Sequence, residues 1–376
     1  MCGSSARSHF LTKTDLSSIL STIVKSLKSS PLSFDRFTNL APKLVKMPDE
    51  LVRIDALDEE SEVPAVVRPG TSDVDLVDWA THNLSLIENL LLQHGALLFR
   101  GFNQNPSVDF ERFATAICSD LFEDNGEHPR QNISGNVYTP IFYPADKKVL
   151  WHNENSFNYY WPLKIWFGCL SPSEHGGETP IADSRKVFES IPRKIRERFI
   201  EKQVMYVRAY GKGPGLDWQT VFKTTDKTKV EEHCARSLMD LEWKADGTLV
   251  TRAIRPAVVC HPTTGELSWF NQAQHWHICC LDEATRKSLT SLFDEDDLPR
   301  RCYYGDGSPI EDSVMEEILE VYKGLEVAFA WQPGDIMLLD NVLMAHARNP
   351  FIGERKLLVA MGDMHSYADV QMQPRA

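Results

Sequence analysis

The spacing of apolar residues along this chain changes several times, and each change marks an element. From Asp75 through Trp79, Ala80, Leu84, Ile87, Leu90 and Leu91 the spacing is helical, which predicts one amphipathic helix closed by His94-Gly95. Ala96 to Phe102 is a short apolar run with a glycine stop, which reads as a buried strand, and Asp109 to Ala114 opens another helix. A helix, strand and helix thus form a supporting layer ahead of the rest.

Beyond Leu150 the pattern turns to short aromatic and β-branched runs separated by turn residues. Strands are predicted at 164–170, 179–183 and 204–210, at 257–260 paired with 267–271, and at 327–331, 336–340 and 356–361. Gly176-Gly177 and Pro333-Gly334 supply tight turns. Val187, Phe188, Ile191, Ile195 and Phe199 keep helical spacing, residues 216–250 read as a mobile or helical excursion, and 281–323 as acidic helix or loop. Trp151, Tyr160 and Trp161 read as core aromatics. Many short strands with one long insertion, about 185–325, predict an α+β fold: a double-stranded β-helix, or jelly roll, with flanking helices over 49–376. Residues 1–48 are a separate extension rich in Ser and Lys. Its apolar spacing from Leu16 to Leu27 favours a helix packed on the body, with an organelle transit peptide as the alternative.

Composition narrows the classes. The chain has 376 residues, 42% hydrophobic and 25% charged, as in an ordinary globular protein. A net charge of -13 argues against nucleic acid as a partner. No apolar run approaches the roughly 20 residues that cross a bilayer. The eight cysteines are scattered without a Cys-x-x-Cys pair, which suits reduced thiols in the cytoplasm, and Cys279-Cys280 reads as two adjacent buried thiols.

The candidate chemistry begins at Val149 to Glu154. As a strand, this stretch puts His152 and Glu154 on one face. One more histidine would complete the two-histidine, one-carboxylate set that holds non-haem iron. His346, after the run 336–340, is the candidate, against a plain structural histidine at a strand end. Arg355, shortly after it, could clamp a carboxylate through paired N–H donors. Its neighbours Glu354 and Lys356 also allow a surface charge.

These residues bring a family into view. From about Leu51 to Met361 the chain resembles the taurine dioxygenase and clavaminate synthase-like group of Fe(II)/2-oxoglutarate-dependent oxygenases. The resemblance rests on His152-x-Glu154, His346 and Arg355. It extends to Gly-Ala-Leu-Leu-Phe-Arg-Gly-Phe at 95–102, Gly-Gly-Glu-Thr-Pro at 176–180 and Trp-Phe-Asn at 269–271. Trp-Gln-Pro-Gly-Asp at 331–335 and His-Ala-Arg-Asn-Pro-Phe at 346–351 complete it. It implies that His152, Glu154 and His346 bind Fe(II), that Thr179 and Arg355 hold the distal carboxylate of 2-oxoglutarate, and that O2 is the second cosubstrate. Oxidative decarboxylation to succinate would accompany oxidation of a small-molecule substrate. Halogenases of related fold replace the carboxylate by a small residue, so Glu154 favours hydroxylation.

Within the group the chain looks most like syringomycin-type amino-acid hydroxylases. That implies an amino acid or a derivative as substrate, free or on a carrier protein, with desaturation and cyclisation left open. Arg348, Asn155, Ser156 and Asn271 are candidate substrate contacts, with Tyr159 and Gln272 beside them; Arg348 could instead tie a loop down. His275 and His277 read as structural or as supports behind the ligands. Residues 212–229 could form a lid or a solvated loop. The rival readings are a zinc protein and a non-catalytic metal binder, and the oligomeric state stays open.

Overall fold

A computed structural model describes residues 51–58, 61–103, 106–122, 131–211 and 215–370, all within the unit Pro48–Ala376. The expected extension 1–48 and its helix lie outside the described residues.

Two sheets carry the site. The larger has eight strands in the spatial order Val52–Asp55, Ala65–Pro69, Ala96–Phe99, Ile336–Asp340, Tyr160–Ser171, Lys356–Ser366, Val137–Tyr138 and Asn132–Ser134. All neighbours pair antiparallel except Ala65–Pro69 with Ala96–Phe99, which are parallel. The smaller sheet has Met344–Arg348 between Val149–His152 and Ile181–Asp183.

Side chains alternate across a strand, so both faces of a central strand must be covered if every residue is apolar. Leu97, Phe99, Ile336 and Leu338 point to one side, where Trp79, Ile87, Leu91, Phe110 and Phe113 of the flanking helices meet them. Ala96, Leu98, Met337 and Leu339 point to the other, against Ile181 and Met344 of the small sheet. The unbroken apolar runs at 96–99 and 336–339 follow from this double burial.

Arg100, at the end of one central strand, crosses to Asp335, just ahead of the next. Its Nε reaches Oδ1 at 3.0 Å and an Nη reaches Oδ2 at 2.6 Å, while the same Nη donates to Ala330 O at 2.9 Å. Both side chains are buried, so each compensates the dehydration of the other.

The remaining strands lie mostly in a sheet ordered Asp240–Trp243, Leu249–Arg255, Val204–Tyr210 and Arg300–Tyr304. Two short antiparallel pairs complete the set: Val258–Cys260 with Leu267–Trp269, and His175–Gly176 with Phe351–Ile352. Among the described residues no helix is long and apolar enough to cross a membrane.

Several expected elements change. The helix over 75–94 is two, Leu76–His82 and Leu84–His94, because Asn83 donates its side-chain amide to Trp79 O and interrupts the ladder. The helical stretch 184–202 is also two, Ser184–Ser190 and Arg193–Lys202, split at Pro192, whose ring cannot continue a helix. Residues 327–331 form no strand beyond one bridge, Val327 to Ile181. The excursion 216–250 holds helices Trp218–Phe222 and Lys227–Arg236 but also the strand Asp240–Trp243, and the acidic stretch contains the strand Arg300–Tyr304. Trp151 and Trp161 are core aromatics, whereas Tyr160 is 51% exposed.

Candidate active site

The small sheet brings distant residues together. His346 stands opposite His152 on one side and Ile181 on the other. The strand ends at His152, so Glu154 does not share its pleat; it arrives from the turn that follows. The turn is shaped by Asn155, in the left-handed region at φ 56, and held by Asn341. The Asn341 Oδ1 accepts from Glu154 N at 2.7 Å, and its amide donates to Glu154 O at 3.0 Å and Pro162 O at 2.8 Å. Asn153 reinforces the turn by donating to Asn341 O at 2.7 Å and Ser184 Oγ at 3.1 Å.

Glu154 Oε2 lies 3.7 Å from Nε2 of His152 and 3.7 Å from Nε2 of His346. An ion bonded at roughly 2.1 Å keeps its donors roughly 3 to 4.2 Å apart, so both distances suit a shared metal. His152 Nδ1 faces Leu150 O at 2.9 Å. A carbonyl only accepts, so Nδ1 carries the proton and Nε2 keeps its lone pair for a metal. All three side chains are buried, and two imidazoles with one carboxylate form the donor set expected of non-haem iron.

His275 supports this group from behind. Its Nε2 donates to Leu150 O at 2.7 Å, and its ring centroid is 4.6 Å from that of His152. Burial, followed by the charge of the nearby groups, pushes its pKa down to about 3, so it stays neutral near neutral pH. His277 donates from Nε2 to Ile310 O at 2.9 Å and faces Cys279 Sγ at 3.0 Å through Nδ1, a structural placement. Cys279 and Cys280 are half-buried rather than fully buried, with their sulfurs 3.8 Å apart.

The ligands open into a cavity of about 750 Å³ that also takes in Thr179, Arg348 and Arg355. Arg355 is half-buried. Its Nε donates to Gly177 O at 2.8 Å and an Nη to Thr179 Oγ1 at 3.2 Å, while Trp331 Nε1 donates to the same hydroxyl at 3.2 Å. Among the described residues no carboxylate forms an ion pair with Arg355. Burial and the adjacent Arg348 push its pKa down to about 10, which still leaves it cationic at neutral pH. A dehydrated guanidinium of this kind is satisfied by a bound carboxylate.

The Gly-Gly pair shapes the floor beneath it. Gly176 and Gly177 have φ of 68 and 74, and a Cβ at Gly176 would sit 2.1 Å from Pro350 O. Only glycine fits there.

The expected substrate contacts fare differently. Arg348 reaches the cavity wall, but its guanidinium donates to the carbonyls of Tyr143, Pro144 and Lys147 and so ties down that loop. Asn155, Ser156 and Asn271 are absent from the cavity lining. Ser156 donates to Asn153 O at 2.8 Å, while Asn271 donates to Ala257 O at 3.1 Å and accepts from Ala273 N at 3.1 Å, so these polar groups serve the backbone. Gln272 does line the cavity, with its amide fixed on Asn153 O at 2.9 Å. Of the expected lid, 212–214 lie outside the described residues, and Gly215 and Leu216 line the cavity. The Asn341 clamp joins segments far apart in sequence and is visible only in the folded chain. Arg208 and Arg300, also on the wall, gave no motif signal at all.

Comparison with known proteins places these features. The family model described as "Taurine catabolism dioxygenase TauD, TfdA family" matches residues 62–361. The dapdiamide synthesis protein DdaC of Enterobacter agglomerans is 36% identical over 314 residues, covering 83% of this chain and 94% of that one. A clavaminate synthase-like protein of Arabidopsis thaliana is 30% identical over 323 residues, covering 81% and 94%. Among solved structures, PvcB, described as an Fe, alpha-ketoglutarate dependent oxygenase from an isonitrile synthetic pathway, matches with a TM-score of 0.52. It covers 88% of this chain and 99% of its own at 14% identity, a likeness of fold.

Proposed function

The chain belongs to the TauD, TfdA family of dioxygenases, and on that premise we propose that it hydroxylates an unactivated C–H of an amino acid or amino-acid-derived small molecule. It is an iron- and 2-oxoglutarate-dependent oxygenase. The observation that carries the residue assignment is the gathering of His152, Glu154 and His346 on the wall of the cavity that also holds Arg355.

In this reading His152, Glu154 and His346 hold Fe(II), and the single carboxylate partly neutralises it. When bound, the iron supplies oxygen activation coupled to decarboxylation of 2-oxoglutarate to succinate. Arg355 and Thr179 seat the distal carboxylate, with the hydroxyl oriented by Trp331 Nε1. Phe167, whose ring is 5.2 Å from that of His346, narrows the space beside the ligands and keeps water from them. The two facing sheets are the walls of a jelly roll, whose curvature brings the ends of separate strands to one mouth. A carboxylate at position 154 leaves no vacancy for a halide, which supports hydroxylation over halogenation. The relative named for dapdiamide synthesis supports a biosynthetic role on a small amino-acid-like substrate, free or carrier-bound.

The test is anaerobic addition of Fe(II) and 2-oxoglutarate, which should give a visible charge-transfer band. Exposure to O2 with a panel of free and carrier-bound amino acids should then give succinate and a product heavier by one oxygen. A product lighter by two hydrogens would establish desaturation or ring closure instead. No band, with zinc retained after anaerobic purification, would sink the oxygenase assignment.

A further inference from the structure

A second group of metal-binding residue types, His277, Cys279 and Cys280, lies at the same cavity, and the oxygenase reading uses none of it. A tight turn gathers the three. Ile278–Cys280 is a single turn of 3-10 helix, closed by Cys280 N donating to His277 O at 3.1 Å. His277 stands just ahead of that turn and brings its ring back over it, so that Nδ1 accepts from Cys279 N at 3.4 Å. The same Nδ1 is 3.0 Å from Cys279 Sγ, and the two sulfurs are 3.8 Å apart. One donor atom from each residue lies within 4.8 Å of the others.

The imidazole is prepared for a ligand's part. Its Nε2 faces Ile310 O at 2.9 Å, and a carbonyl only accepts, so Nε2 carries the proton and Nδ1 keeps its lone pair on the side of the sulfurs. Both thiols are half-buried and free of disulfides, and among the described residues neither sulfur has a hydrogen-bond partner outside the group. A tetrahedral ion bonded at roughly 2.3 Å to sulfur and roughly 2.0 Å to nitrogen holds its donors roughly 3.5 to 3.8 Å apart. The sulfurs already have that spacing. The imidazole and Cys279 would open by roughly half an ångström, which one side-chain rotation supplies. His277 and Cys280 border the cavity, which gives an ion a way in and a water a place as fourth donor.

We propose that His277, Cys279 and Cys280 form a second metal site, for a sulfur-preferring divalent cation of the Zn(II) and Cd(II) class. Two thiolates and an imidazole are a softer set than the two imidazoles and carboxylate at His152, Glu154 and His346, so the two sites select different ions. Binding releases the two thiol protons, and two thiolates then cancel the charge of a divalent ion, which suits a half-buried position. The ion fixes the segment that also carries His275, whose Nε2 donates to Leu150 O behind His152.

The experiment titrates Cd(II) into the reduced, anaerobic enzyme already loaded with Fe(II) and 2-oxoglutarate, in thiol-free buffer. Cadmium bound to thiolate gives an ultraviolet charge-transfer band, and the iron ligands include no sulfur, so exchange at that site adds nothing to it. The band should saturate at one ion per chain. It should be lost in C279S and C280S, H277A should bind roughly tenfold more weakly or worse, and C118S, which alters a half-buried thiol elsewhere, should leave it unchanged. Zn(II) should displace Cd(II) and protect Cys279 of the loaded wild-type enzyme from iodoacetamide. Iron content and circular dichroism report whether each variant is folded; should the variants misfold, the protection of wild-type Cys279 decides by itself. The proposal is overturned if wild-type enzyme gives no band, if the band survives in both C279S and C280S, or if Zn(II) leaves the alkylation rate of Cys279 unchanged.

Discussion

Glu154 lies between two imidazoles at 3.7 Å from each, and Arg355 faces the same cavity with a hydroxyl and a carbonyl as its partners. The two groups should fail differently. His152→Ala is expected to abolish Fe(II) binding, measured as iron content after anaerobic reconstitution. Arg355→Ala should retain iron but raise the KM for 2-oxoglutarate roughly ten- to a hundredfold, since hydrogen bonds to charged groups contribute about 1.5 to 3 kcal/mol. An unchanged KM in Arg355→Ala would remove that residue from the cosubstrate site. A different kind of residue prediction comes from the thiols. A hydrogen bond from Cys280, helped by His277, lowers the Cys279 pKa, while burial raises that of Cys169 to about 12. A lowered pKa means more thiolate at a given pH. Site-resolved alkylation by iodoacetamide should therefore modify Cys279 well before Cys169, with its rate rising through a midpoint below that of an ordinary thiol; a midpoint at or above roughly pH 8.5 would contradict the arrangement.

At the scale of elements, the turn after His152 decides whether the carboxylate faces the histidines. Alternation along a strand suggested that His152 and Glu154 share a face, and they do converge, but through a turn clamped by Asn341 rather than through the pleat. Nothing in the residues 149–154 announces the clamp, because its donor comes from the far end of the domain. Asn341→Ala should leave both imidazoles in place and free the turn. Supports of this kind typically cost ten- to a hundredfold in metal affinity when removed, so titration with Fe(II) should show a loss of about that size. Near-native secondary structure by circular dichroism would confirm that the fold remains; native metal affinity would show that the clamp is dispensable. The same logic explains which elements were legible. Runs such as 96–99 and 336–339 are apolar throughout because both faces are covered, and they were plain in the sequence. Arg300–Tyr304 was missed because two arginines and a cysteine among five residues carry no apolar alternation, and its neighbours across the sheet determine it.

At the scale of the whole molecule, the gathering of His152, Glu154, His346 and Arg355 at one cavity was readable from residue type and order, whereas most of the cavity wall was not. Arg348, Asn155 and Ser156 lie within two residues of a ligand in sequence, and Asn271 follows an aromatic pair; three backbone carbonyls hold the guanidinium of the first, while the other three are absent from the cavity lining. Proximity along the chain says little about which polar group faces a cavity and which satisfies its own backbone. What the site does to the molecule is more predictable. His152 and His346 belong to neighbouring strands, and Glu154 to a turn clamped by the segment before His346. An ion held by all three ties these segments together in the folded state and finds no such arrangement in the unfolded chain. Binding of that kind stabilises by RT ln(1 + [L]/Kd), about 2.7 kcal/mol at a hundredfold excess over Kd. Mn(II), a redox-inert stand-in for Fe(II), should therefore raise the Tm of the apo-protein by several degrees in calorimetry, and the rise should grow with the logarithm of its concentration. Adding 2-oxoglutarate with Mn(II) should raise it further, because Arg355 and Thr179 would hold the cosubstrate in the same cavity as the ion. In His346→Ala the increment from Mn(II) should vanish, and in Arg355→Ala only the part due to 2-oxoglutarate should be lost. A Tm that ignores Mn(II) in the unmodified protein would mean that the three side chains do not act on one ion.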